Sequence, residues 1–425
     1  MKKLLRFTGI IIAIAVIVIA IFYYKNNESL PVGKQGEDAD ALASKMLHAL
    51  NYTNYKSTEL LEWSFRGKHF YKWNKKENIV RVEWNKNVIE LHTTAPEKNN
   101  YLSGPHKTKE KKYIQIAIDF FNNDSFWLVA PYKVFDNGVE RSIVKHNGKE
   151  ALLITYKTGG STPGDSYLWI LDDNGFPTSY KMWTSIIPIG GIEATWSDWK
   201  KTEVGVSLPT KHTLLLFGLE LNMGTVKASN PKADVLAHKI SKTIKHNAYK
   251  KTRYIEWSFG GRRSYKWDKQ NHIINVSWSN TEVVLHPNNR EKNILFIDGK
   301  ETNENKEKLT KKAEDLFNND SFWLVAPHKL FESGIIRNIA EIDGKEALKV
   351  TYTTGGTTPG DSYIWILNDN YLPIKYLMNV PSMKMNRVPA TWQDWFVTES
   401  GTMLPKNHTF SGGRKLSMGD VKAYN

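Results

Sequence analysis

A long stretch of this chain is written twice. Phe121-Asn-Asn-Asp-Ser-Phe-Trp-Leu-Val-Ala-Pro131 recurs letter for letter at Phe317–Pro327, and Gly159–Asp173 recurs at Gly355–Asp369 with three changes. Fourteen of the fifteen tryptophans form seven pairs at separations of 194 or 196 residues, and only Trp183 lacks a counterpart, facing Asn379. A period that long exceeds any solenoid repeat and fits two tandem copies of a whole domain. The copies are expected at 38–228 and 230–425, joined through Ala228-Ser-Asn-Pro231.

Each copy reads as helix, strands, helix, strands. Leu42, Met46 and Leu50 line one face at four-residue spacing, as do Leu236, Ile240 and Ile244, with Asn230 and Pro231 as a helix start. Val80, Val82 and Trp84 alternate with Arg81 and Glu83, and Ile274, Val276 and Trp278 alternate with Asn275 and Ser277, the period of a strand with one buried face. Second helices are expected at roughly 109–121 and 305–317. A hairpin follows, Ser166–Leu171 returning through Asp172-Asp-Asn-Gly175 to Trp183. The expected fold class is α+β: in each copy a strongly curved antiparallel sheet, an unclosed half-barrel of seven to eleven strands, with two helices.

Residues 1–25 carry four positive charges ahead of and behind an apolar run from Gly9 to Tyr24. That pattern predicts an uncleaved N-terminal membrane helix, or else a removed signal peptide, with the rest exported. Residues 26–37 read as a polar tether, and the exported part keeps ten of the fourteen net positive charges. The expected location is the exported, periplasmic side of the inner membrane, or secretion after cleavage. Zero cysteines exclude disulfide staples, thiol nucleophiles, Cys-ligated zinc and an N-terminal lipidated cysteine. No basic block or RNA-binding motif accompanies the positive charge, so nucleic acid is not an expected partner.

The segments Asn123–Pro131 and Gly159–Pro177, with Asn319–Pro327 and Gly355–Pro373, resemble exported bacterial proteins of the outer-membrane lipoprotein carrier-like (LolA/LolB-like) group. The resemblance implies an unclosed antiparallel barrel, helices as a lid, and an apolar cavity for acyl chains. Duplication and an apparent anchor depart from the soluble carriers and suit a fixed acceptor or a relay better than a shuttle.

Three constellations are candidate sites. The first is the connector Gly159–Tyr167, where Asp165 and Asp361 either cap loop amides or, with Tyr167 and Tyr363, present polar groups at a ligand mouth. The second is the tryptophans Trp127, Trp169 and Trp196, with Trp323, Trp365 and Trp392, either core or the lining of an acyl or glycan pocket. The third is the apolar loop Thr184–Gly191 with Ile186 and Ile187, facing Met383 and Met385, either tucked in or exposed at a binding rim. His92/His286 and His212/His408 recur without a positioned acid, and Glu62/Glu256 with Asp198/Asp394 would need a suitable fold to act as a carboxylate pair. No nucleophile elbow, metalloprotease motif or nucleotide fingerprint occurs, so no enzyme activity, cofactor or metal is expected. The expected partners are a lipid, an acyl chain or a lipidated protein, held by hydrophobic burial. The alternative is a cell-envelope scaffold or glycan-binding module with no cavity.

Overall fold

The computed structural model describes residues 2–354 and 360–425, with side chains of the N-terminal helix from Ile14 onward. Gly355–Pro359, the start of the second copy's connector, lies outside the described residues. Two compact units emerge, Met1–Ser229 and Asn230–Asn425. Both are α+β, built of antiparallel strands in sheets that do not close.

In the first unit helix α1 spans Lys2–Asn26, α2 Glu37–Ala49, α3 Tyr52–Ser57 and α4 Glu110–Val129. Strands β1 to β5 are Leu60–Phe65, His69–Asn74, Ile79–Trp84, Asn87–His92 and Asn100–Ser103. Strands β6 to β10 are Val139–His146, Lys149–Tyr156, Ser166–Leu171, Pro177–Trp183 and Ile192–Thr195. A small hairpin of β11 (Lys200–Lys201) and β12 (Ser207–Leu208) precedes β13 (Lys211–Leu214), β14 (Leu219–Asn222) and β15 (Lys227–Ser229). One sheet runs β15-β1-β2-β3-β4-β5 and the other β14-β13-β10-β9-β8-β7-β6.

The two sheets share a seam. The N–H of Ser64 donates to Met223 O at 3.1 Å and that of Arg66 to Asn222 O at 2.7 Å, so β1 pairs with β15 at one end and with the end of β14 at the other. Gly224 makes the crossing possible. Its φ is +63°, and a Cβ there would stand 2.1 Å from Ser64 Oγ. The expected single curved sheet is therefore corrected to two ladders stitched along β1.

The second unit has α5 (Pro231–Thr243), α6 (His246–Lys251) and α7 (Lys306–Val325). Its strands form a seven-stranded sheet, a five-stranded sheet and two two-stranded hairpins, and Ser258 N–H donates to Met418 O at 3.0 Å. One core packs α7 on the strands from Tyr254 to Ile297; another packs α5 on those from Ile335 to Thr391. Trp323 touches both cores.

Three helix expectations change. Each unit gains a short third helix, α3 or α6, entered through a left-handed residue, Asn51 (φ 59°) or Lys245 (φ 56°). The second helices run on to Val129 and Val325, so the repeated Phe-Asn-Asn-Asp-Ser-Phe-Trp-Leu segment is helical throughout. The N-terminal run does form a helix, yet among the described residues no helix is long and apolar enough to cross a membrane. Every large apolar residue described in α1, Ile14 to Tyr24, is nonetheless exposed.

The 26–37 segment is not free either. Glu28 accepts both ion-pair contacts of Lys181 (2.6 and 2.8 Å), and Lys34 forms a backbone bridge to Ile143 on the edge of β6. Arg141 on β6 then pairs with Asp40 of α2 at 2.5 Å; Arg337 and Asp234 make the corresponding link in the second unit at 2.7 Å.

Candidate functional site

The aromatic interior of the first unit is built by alternation. Strand β8 points Tyr167 and Trp169 inward, β9 points Tyr180, the chain just past β10 adds Trp196, and β13 adds His212. Helix α4 roofs them with Phe126 and Trp127. The rings touch: Trp169–Trp196 centroids are 5.3 Å apart, Trp169–Tyr180 5.1 Å, Tyr180–Trp196 4.9 Å and Phe126–Tyr167 4.3 Å. Trp169 and Tyr180 are fully buried, while Trp127 is half-buried at the margin. The second unit repeats the arrangement with Trp323, Tyr363, Trp365, Tyr376, Trp392 and His408; Tyr376–Trp392 is 5.0 Å and Trp392–His408 5.1 Å.

These interiors are apolar in their ring faces but not in their edges. Trp169 and Trp196 bury indole N–H groups with no hydrogen-bond partner in the protein, as do Trp365 and Trp392 in the second unit. The hydroxyls of Tyr180 and Tyr376 are equally unpartnered. Burial pushes both phenols well above their ordinary value, so they remain protonated donors. An unpartnered buried donor costs about 1–3 kcal/mol. Several together mark an interior suited to accept oxygen acceptors.

A second polar cluster was not legible as a site from sequence. Asp124, in the middle of the repeated motif on α4, is 1% exposed. It accepts hydrogen bonds from Tyr71 Oη at 2.5 Å and Asn123 Nδ2 at 2.8 Å, and lies 2.7 Å from His69 Nδ1. His69 in turn stacks on Phe120 at 3.8 Å. In the second unit Asp320 is fully buried and takes both arms of the Arg263 guanidinium, at 2.6 and 3.1 Å, together with Tyr265. These carboxylates bolt α4 and α7 onto strand two of their sheets. The signal was present, since an Asp among Phe, Trp and Leu on a helix must find donors if it is buried.

The remaining candidates separate. Asp165 is buried and accepts from Thr162 Oγ1 (2.6 Å) and the Ser185 amide (2.8 Å), with Tyr167 Oη at 3.5 Å. It ties the connector to the apolar loop. Asp361 is likewise buried, with Tyr363 Oη at 3.5 Å. In the loop, Ile186 is 68% exposed, Ile187 half-buried and Ile189 buried. Met383 is exposed, and Met385 packs on the α5 core. The structure thus brings the tryptophans and Tyr167/Tyr363 together inside and leaves Ile186 and Met383 outside. His212 and His408 are core histidines, their Nδ1 atoms bonded to Thr195 O (2.9 Å) and Thr391 O (2.7 Å).

Two surface grooves lie away from these residues. One of 790 Å³ is lined by side chains such as Glu62, Phe70, Lys72, Arg81 and Glu83; one of 380 Å³ includes Glu256, Phe396, Lys422 and Tyr424. Of the residues singled out from sequence, Glu62 lines the first groove and Glu256 the second, and the aromatic, connector and apolar-loop candidates line neither. Among the described residues no three His, Cys, Asp or Glu side chains gather as a metal site.

No protein-family model matches the chain, and no curated protein matches it. Among solved structures, a DUF1329 family protein from Desulfovibrio piger aligns with 46% of this chain and 93% of its own, at 9% identity and a TM-score of 0.28. A likeness of that size carries no argument about function.

Proposed function

We propose that this chain is an exported, membrane-attached binding protein that takes an acyl chain of a lipid or lipidated protein between the sheet and its roof helix, α4 or α7. The observation that carries the reading is the pairing of apolar ring faces with unpartnered indole and phenol donors in one interior. A ligand matching it has an apolar body and a few oxygen acceptors, as an ester or acid of a long hydrocarbon does. Each buried methylene contributes about 0.8 kcal/mol, so affinity needs no catalytic group. The exposed apolar face of α1 supports attachment at a membrane. Entry would require α4 or α7 to lift, with Asp124 and Asp320 as the bolts.

Ring-on-ring contact at 4–6 Å favours a second reading, an envelope scaffold whose interior is filled by its own side chains. Native mass spectrometry of gently purified protein, with displacement of a fluorescent fatty acid, separates the two. Co-purified lipid and saturable displacement support the acyl-binding reading. A lipid-free protein that leaves the probe undisturbed leaves only the scaffold.

A further inference from the structure

Three apolar elements of the first unit emerge at one end of one sheet. Ser166 pairs with Trp183 and Met182 with Ile192, so the loop Thr184–Gly191 projects from the end of strands β8, β9 and β10 where β8 begins. Ala194 pairs with Leu214, and the Leu215 amide donates to Glu193 O at 2.9 Å, so the turn between β13 and β14 leaves from that same end. That turn reads Leu214-Leu-Leu-Phe-Gly-Leu219, six residues without a polar side chain. Leu215 is 52% exposed, Phe217 53% and Leu219 42%. The fold does not require this: the second unit's matching hairpin, between Asn407–Thr409 and Lys415–Ser417, turns through Ser411-Gly-Gly-Arg414.

The exit from α1 is fastened to this same end. Asn27 Oδ1 accepts from the Gly190 amide at 2.7 Å, the Glu28 amide donates to Gly190 O at 2.9 Å, and Trp183 Nε1 donates to Glu28 O at 2.8 Å. A Cβ on Gly190 would stand 2.6 Å from Glu28 O, and one on Gly191 2.6 Å from Glu28 Cβ, so the paired glycines let the chain lie flat there. Trp183, the tryptophan without a partner in the repeat, is thus part of the fastening.

We infer that this end of the first unit, Ile186 with Leu215, Phe217 and Leu219, enters the lipid surface that holds α1. The occupant is a bilayer rather than a protein groove because the apolar patch is joined, through the four polar residues Lys25 to Glu28, to a helix whose described apolar residues are all exposed. First-unit residues 26–229 carry 25 Lys+Arg against 23 Asp+Glu, so apolar insertion rather than charge drives the contact. This rests on α1 being the membrane attachment, but not on acyl binding.

The absence of cysteine allows a direct test. Full-length chains carrying a single Phe217→Cys or Ile186→Cys are labelled with an environment-sensitive fluorophore and mixed with phosphatidylethanolamine–phosphatidylglycerol vesicles, with and without brominated acyl chains. Asn174→Cys, on the turn at the opposite end of β8 and β9, and Ile17→Cys in α1 serve as references. The inference expects blue-shifted, bromine-quenched emission at 217, 186 and 17 and unchanged emission at 174. Insertion at 17 with water-like emission at both 217 and 186 overturns it while leaving α1 as the attachment. No insertion at any position overturns it together with the role of α1, and neither result touches the fatty-acid displacement assay.

Discussion

Tyr71 donates its phenol hydrogen to Asp124 at 2.5 Å, joining strand β2 to the centre of helix α4 through a carboxylate that solvent does not reach. Burial first, and then the Asp124 charge, push the Tyr71 phenol far above its ordinary value, so it never competes for the negative charge. Asp124→Ala removes the acceptor and strands a buried phenol and His69, and is expected to cost about 3 kcal/mol. Asp124→Asn keeps a carbonyl acceptor and should cost less. Urea unfolding followed by tryptophan fluorescence measures both, and equal midpoints for wild type and Asp124→Ala would remove the bolt from the account.

Acid should loosen both units before carboxylates titrate. Burial holds His212 and His408 down to about 4 and His328 down to about 3, from an ordinary value of 6.5. Below 6.5 the unfolded chain binds protons that the folded one refuses, so stability is whole above 6.5 and drains as pH falls toward 4. For shifts of this size the loss approaches roughly 3 kcal/mol per histidine. Thermal midpoints at pH 7, 6 and 5 should decline, and a His212→Gln, His408→Gln double variant should flatten the decline. A level profile over that range contradicts the buried neutral assignment.

Deleting an unpartnered hydroxyl tests what the interior is for. Tyr180→Phe and Tyr376→Phe preserve the ring and remove only an O–H without a protein partner. Stability should hold or rise by up to about 1 kcal/mol, because the desolvation penalty disappears. If the interior receives an acyl ester, fatty-acid affinity should fall at the same time. Calorimetry and probe displacement on the same preparations read the two effects separately.

Gly190→Ala should release the chain after α1. The added methyl meets Trp183 Cδ1 at 2.5 Å as well as the Glu28 carbonyl, so the fastening cannot close around it. Limited trypsin digestion should then cut at Lys25 and Lys34 faster than in wild type, with little change in the global unfolding midpoint. Unchanged cleavage would show that the fastening does not restrain the segment.

Alternation and helical spacing were enough to read the element types, since Val80, Val82 and Trp84 or Ile240 and Ile244 declare their buried face by period alone. The internal repeat likewise was plain in letters. The seam at Ser64 and Met223 was not, because residues about 160 apart meet only when two ladders are already formed. The full length of helix α4 is hidden in the sequence for a related reason: Asn122, Asn123 and Asp124 are poor helix formers in isolation, and tertiary partners on His69 and Tyr71 override that preference.

The chain's own letters determined that there would be aromatic-rich α+β units, a terminal apolar helix and no cysteine chemistry, because periodicity and composition act locally. Which rings meet inside, which carboxylate is buried beneath a helix, and that Gly190, Ile186 and Phe217 share one end of one sheet were decided only by the fold. Those facts depend on strand order and register, which join distant residues through hydrogen bonds and packing that no local pattern encodes.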